Sequence, residues 1–157
     1  MEATVVRDYS AQNESELSLS DGETVNILSF DADPNRYKIQ QQGTKEGWVP
    51  KDYVVPHYCG WFKGHISREH SQELLKSKPL GSFLVRQTSA APQHFYLDVK
   101  CHSEVKSFEI YRDQYGKYFL TLIKYASINM LLRYHQNLSV SKDEDVFLST
   151  EDYWQHR

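Results

Sequence analysis

Short alternations of apolar and polar residues fill the first third of the chain, with almost no helical periodicity. Thr4-Val5-Val6 is β-branched, Leu17-Ser18-Leu19 alternates, Thr24–Leu28 carries a strand pattern and Tyr37-Lys38-Ile39 opens another. Asp21-Gly22 and Gln42-Gly43 mark turns, and the second leads into Gly47-Trp48-Val49-Pro50. This spacing predicts a small all-β barrel or sandwich over residues 1–56. Residues 57–60 read as a linker. From 61 to 150 the pattern changes. Ser67 is placed to cap a helix that carries Leu74 and Leu75 and ends by Pro79. Strands are predicted near 82–86, 95–100, 106–111 and 117–124, with a turn at Asp113-Gln114-Tyr115-Gly116. A second helix is predicted from Ser127, with Ile128, Leu131, Leu132 and His135 on one face. Helix, antiparallel strands and helix make an α+β domain with the sheet between two helices. Residues 151–157 read as a tail.

One position breaks this pattern. Phe83-Leu84-Val85-Arg86 is a core strand that ends in a fixed positive charge. A buried charge without a partner costs several kcal/mol, so Arg86 needs a counter-ion. Glu73 and Asp98 are the nearest acids in sequence, and neither is local to the strand end. The expected partner is therefore an external anion, and a guanidinium fits phosphate through two parallel charge-assisted hydrogen bonds. The alternative is an arginine that snorkels to solvent.

Charge and composition narrow the function. The 157 residues carry a formal net charge of -3, too small an imbalance to point to nucleic acid or an anionic membrane. The aromatic share is 13%, with eleven Tyr and three Trp, which suits compact β-rich domains and aromatic binding grooves. Two cysteines, Cys59 and Cys101, make no disulfide framework and fit a reducing cytosol. The start lacks signal-peptide character, and no apolar run of about 18 residues is present to span a bilayer. No metal-ligand spacing, nucleophile arrangement, Gly-rich phosphate loop or kinase signature is present. The reading is non-enzymatic, with no catalytic residues, no metal and no cofactor.

Trp61-Phe62, Gly64, Ile66 and Phe83-Leu84-Val85-Arg86 resemble the opening and the signature strand of a Src-homology 2 (SH2) domain. Asp8-Tyr9, Glu16-Leu17-Ser18-Leu19, Gly22, Gly47-Trp48-Val49-Pro50 and Tyr53-Val54 resemble a Src-homology 3 (SH3) domain, in that family's order. Gly116-Lys117-Tyr118-Phe119-Leu120, Tyr134-His135, Ser139-Val140-Ser141 and Phe147-Leu148 are similar to the SH3–SH2–SH3 growth-factor-receptor-bound adaptors. The resemblance stops at Glu151–Arg157, so the second SH3 domain of that family is expected to be missing. It implies a cytoplasmic signalling adaptor, recruited to phosphorylated membrane receptors and binding tyrosine-phosphorylated proteins or receptor tails. Proline-rich or basic segments are the implied partners of the SH3 half.

The resemblance also implies a site. Arg86 would form the floor of a phosphotyrosine pocket and Arg68, in the first helical turn, would contact phosphate and stack on the tyrosine ring. Thr88 and Ser89 would form a polar loop suited to an oxyanion. Ser107 stands where most relatives carry His, and Glu109 where many carry Lys beside the phosphotyrosine. A carboxylate there repels phosphate, by roughly 1 kcal/mol at about 4 Å in water. Phe108, Glu109, Leu120 and Thr121 are the implied peptide-specificity residues. Thr121 replaces the Trp that forces a turned peptide in the closest adaptors, so an extended peptide with Ile, Leu or Val three residues past the phosphotyrosine is expected.

The SH3 half departs further from its family. Tyr9, Trp48, Pro50 and Tyr53 match aromatic groove positions, and Glu14 and Glu16 supply the acidic loop, with Asp31 and Asp33 opposite. Arg36 stands in the place of the central Trp, Arg7 replaces a groove Tyr and Asp52 replaces an Asn. Weak or atypical proline-rich binding is expected, with Arg36 pairing Glu14 or Glu16. Two further readings are an SH3–SH2 regulatory fragment of a cytosolic tyrosine kinase and a scaffold that uses another SH3 face.

Overall fold

The computed structural model describes residues 1–41, 45–57, 60–88 and 91–151. The turn expected at Gln42-Gly43, Cys59, Ser89 and the tail beyond Glu151 lie outside the described residues. The chain forms two compact units, one built on Met1–His57 and the other on Tyr58–Arg112 and the residues from Tyr118 on.

The first unit is a five-stranded antiparallel sheet. Its strands are β1 (Glu2–Val5), β2 (Thr24–Ser29), β3 (Arg36–Gln40), β4 (Glu46–Pro50) and β5 (Val54–Pro56). They run in the order β4-β3-β2-β1-β5. A single 3₁₀ turn, Lys51–Tyr53, joins β4 to β5. The core gathers the inward residues of each alternation: Ala3, Val5, Leu17, Leu19, Val25, Ile27, Ile39, Val49 and Val54. Leu17-Ser18-Leu19 buries its two leucines, but the segment forms no ladder. It is held by isolated bridges from Glu16 to Trp48 and from Leu19 to Tyr9. Alternation reports burial, and strand pairing is a separate matter.

The second unit is a six-stranded sheet with two helices. The strands are β6 (Phe62–His65), β7 (Phe83–Thr88), β8 (Ala91–Lys100), β9 (Val105–Arg112), β10 (Tyr118–Phe119) and β11 (Lys124–Tyr125). Their order is β11-β10-β9-β8-β7-β6. The sheet is antiparallel apart from the β6–β7 pair, which is parallel. The single strand expected over 117–124 is instead two two-residue strands, with Leu120 to Ile123 outside the ladder. Helix α1 (Arg68–Leu75) is capped by Ser67, whose Oγ accepts from the His70 N–H. Only Leu75 of the expected pair is buried, against Leu84 and Val105, while Leu74 is exposed. Helix α2 (Ile128–Tyr134) is capped by Ser127 in the same way and buries Ile128, Leu131 and Leu132. Cys101 is a free, buried thiol, and burial raises its pKa.

His135 closes α2 and is buried, with Nδ1 2.9 Å from the Leu138 carbonyl oxygen. Burial holds its pKa below the ordinary imidazole value of 6.5, although the hydrogen bond to Leu138 opposes the shift. The folded state therefore prefers neutral imidazole and the unfolded chain takes the proton more readily. This contribution is fully present above the unfolded value and is lost as pH falls through the depressed folded value. The melting temperature is expected to fall with acidification from about pH 7 to about pH 5. His135→Gln should flatten that part of the profile in thermal melts. An unchanged slope would show that His135 is not the group responsible.

Candidate functional site

Arg86 sits near the C-terminal end of β7 and is 3% exposed. Antiparallel pairing puts Leu84 opposite Asp98 and Arg86 opposite Tyr96 on β8. The next pairing puts Asp98 opposite Ser107 and Tyr96 opposite Glu109 on β9. Residues opposite one another, and those two apart on a strand, share a face. Arg86, Tyr96, Asp98, Ser107 and Glu109 therefore occupy one face of the sheet.

The side chains complete the arrangement. Arg86 Nε donates to Asp98 Oδ2 at 2.6 Å, Nη2 lies 3.4 Å from Ser107 Oγ, and the guanidinium carbon lies 4.9 Å from the Tyr96 ring centroid. Asp98 is fully buried and also accepts from Ser71 Oγ on α1. The expectation of a cation without an internal partner is thus corrected. A diagonal cross-strand contact brings Asp98 to Arg86 across a sequence separation that made it look remote.

Arg68 is the first residue of α1, exposed and without an ion pair among the described residues. Ser71 follows it by one turn, so the helix that presents Arg68 is tied to the carboxylate that holds Arg86. Thr88 is half-buried and pairs with Ala91 as the last residue of β7, so it belongs to the strand and not to the loop. Ser89 cannot be placed among the described residues. Glu109 lies 3.1 Å from His94 Nδ1, which gives its charge a local partner.

A groove of about 390 Å³ opens beside β9, because β10 covers only its last two residues. Ser107, Phe108, Glu109, Leu120 and Thr121 line it together with Val140–Asp143. All four specificity residues expected from sequence therefore meet in one place. The Val140–Asp143 wall, Tyr96 and Ser71 were not anticipated. An aspartate at a buried position of β8 was the available signal for the polar face.

In the first unit, Tyr9 and Tyr53 pack edge to face with centroids 4.8 Å apart. Tyr9 Oη donates to Glu16 Oε1 at 2.8 Å, and the Gln12 N–H donates to the same oxygen at 2.7 Å. The Gln12 bond, then the tyrosine bond, lowers the Glu16 pKa, while the bond to Glu16 raises that of Tyr9. Arg36 does not bond Glu14 or Glu16. Its Nη2 lies 3.0 Å from Asp33 Oδ2, three residues away, and its guanidinium lies 5.1 Å from the Trp48 ring centroid. The short path to Asp33 wins over the longer reach across the groove. Arg7 covers Tyr53 at 4.3 Å and donates to the Asp52 carbonyl at 3.3 Å. Pro50, opposite Arg36 across β3 and β4, is half-buried, and Glu14 is exposed.

Comparison with known families places names on both units. The model of the SH2 domain matches residues 61–135 and that of the SH3 domain matches residues 4–51. Among solved structures, the chain is similar to the VAV1 SH2 domain complexed with a tyrosine-phosphorylated peptide from SLP76. The identity is 25% and the TM-score 0.54, covering 62% of this chain and 72% of that one.

Proposed function

Because this chain carries an SH3 domain followed by an SH2 domain, we propose that it is a non-catalytic adaptor of the growth-factor-receptor-bound type. Both domains are interaction modules, and together they support a phosphotyrosine-binding signalling role. Arg86 anchors the phosphate and Arg68 adds to it from α1. Thr88 and Ser107 supply polar groups on the same face of the sheet. The observation that carries the reading is the guanidinium held near the end of β7, with Nη2 directed to Ser107 at the margin of the β9 groove. The proposed SH3 domain spans 1–56 and the SH2 domain 61–150, with a linker at 57–60. No described helix is long and apolar enough to cross a membrane. Recruitment from the cytoplasm to phosphorylated receptors is the corresponding cellular role.

The peptide runs extended through the β9 groove. Thr121 is exposed there beside Leu120 and Phe108, and the residue third after phosphotyrosine reaches this apolar wall. On a phosphopeptide array, Ile, Leu or Val is expected to be enriched at that position, and the unphosphorylated peptides should not bind. A preference dominated by Asn at the second position would reject the extended path. Equal binding of phosphorylated and unphosphorylated forms would reject the phosphotyrosine reading.

A scaffold role for the SH3 domain has its own support. Guanidinium groups cover Trp48 and Tyr53, the rings a proline-rich ligand would stack on. The groove is therefore degenerate, and proline-rich or basic segments bind it weakly or atypically.

A further inference from the structure

Asp98 is the unusual member of the Arg86 site. Its carboxylate is fully buried, takes the Arg86 Nε–H at 2.6 Å and the Ser71 hydroxyl, and leaves Oδ1 without a hydrogen bond among the described residues. We propose that Asp98 sets the phosphotyrosine affinity of this domain: it is a built-in carboxylate that occupies Arg86 and opposes the second anion that must dock there. The proposal deepens the phosphotyrosine reading above and rests on it.

Geometry and charge both support this role. A guanidinium offers a side edge, Nε with one Nη, and a terminal edge of two Nη atoms. Asp98 holds Nε, and Nη2 lies within reach of Ser107, so the side edge is engaged. A phosphate is left with the terminal edge. Bound there, it lies about 4–6 Å from the Asp98 carboxylate, the range in which like charges act strongly. Arg86 and Asp98 have side chains 4% and 0% exposed, so little water screens the repulsion. A phosphate near two negative charges meets twice the repulsion of a single anion.

A carboxylate that only oriented Arg86 would have the opposite effect, because its loss would weaken binding. The two roles separate in Asp98→Asn. The amide keeps the size and an oxygen acceptor for Nε and Ser71, but removes the charge. The free protein then holds an uncompensated guanidinium, which a docking phosphate neutralises. Stability of the free domain and affinity for the ligand should therefore move in opposite directions.

The test uses the full chain, titrated calorimetrically with a phosphotyrosine peptide and with phenyl phosphate, and melted with and without each. Asp98→Asn is expected to bind both ligands at least about tenfold tighter, to melt lower when free and to gain more on ligand addition. Saturable binding by the variant where the native chain shows none counts the same way. Asp98→Ser carries the same expectation and serves if the amide variant melts too low to titrate. Equal or weaker binding by the Asp98 variants overturns the role of Asp98 and leaves the phosphotyrosine reading intact. Absence of binding by the native chain and the variants alike overturns that reading, and this proposal with it.

Discussion

Arg86→Lys is expected to remove most phosphotyrosine binding while the second domain stays folded, whereas Arg86→Ala should also cost about 3–5 kcal/mol of stability. The two substitutions differ because Arg86 has two roles. Internally it neutralises Asp98, a fully buried carboxylate at 2.6 Å. Externally, in the proposed phosphotyrosine role, it presents its remaining donors to the ligand. A lysine ammonium can meet Asp98 but has no planar fork, so it keeps the internal charge balance and loses the paired phosphate bonds. Truncating one partner of a hydrogen-bonded charge pair at an interface costs about 2–5 kcal/mol of binding. Alanine leaves Asp98 buried and unpaired, and a few kcal/mol is a large part of the stability of a small domain. Calorimetry with a phosphotyrosine peptide and thermal melts separate the two effects. Native-like affinity in Arg86→Lys would remove Arg86 as the anchor, and an unchanged melting temperature in Arg86→Ala would show that Asp98 needs no partner.

The legible parts of this chain are those set by local pattern. Ser67 and Ser127 cap helices because a hydroxyl before an apolar helical face satisfies an orphan N–H, and both do so here. Leu131, Leu132 and Ile128 are buried as their spacing requires. The strands 83–88, 91–100 and 105–112 follow the apolar runs, each extended beyond the expected bounds. Contacts that depend on register were less legible. Asp98 looked remote from Arg86 in sequence, but a two-strand pairing makes them diagonal neighbours. Arg36 was expected to reach across the groove to Glu14 or Glu16, and the nearer Asp33 took it instead. Glu109 faces His94 as well as the groove, a contact that no single-strand pattern reveals. The residues at the middle of the expected 117–124 strand lie outside the ladder, because β10 and β11 pair through only two residues each.

Arg36→Trp is expected to raise the affinity of the first domain for a PxxP peptide with a flanking arginine by about thirtyfold, from a native affinity weaker than micromolar. An aromatic hot spot at the centre of a binding groove contributes about 2 kcal/mol or more. What it replaces contributes little. The Arg36–Asp33 pair is partly exposed, with side chains 36% and 26% accessible, and such pairs are worth about 0–1 kcal/mol. Asp33 also keeps its Asn35 N–H, the main cause of its lowered pKa, so it is not left without a donor. Removing the guanidinium uncovers Trp48 and takes one positive charge away from the acidic residues that would receive the ligand's arginine. Glu16 stays ionised and fixed by Gln12 and Tyr9, so the acidic wall is already in place. Arg7 still covers Tyr53 in this variant, so adding Arg7→Tyr should raise affinity further. Calorimetric titration of the native chain and both variants decides the matter. Micromolar binding by the native chain would mean that the groove was never blocked. No gain in either variant would mean that the domain binds through a different face.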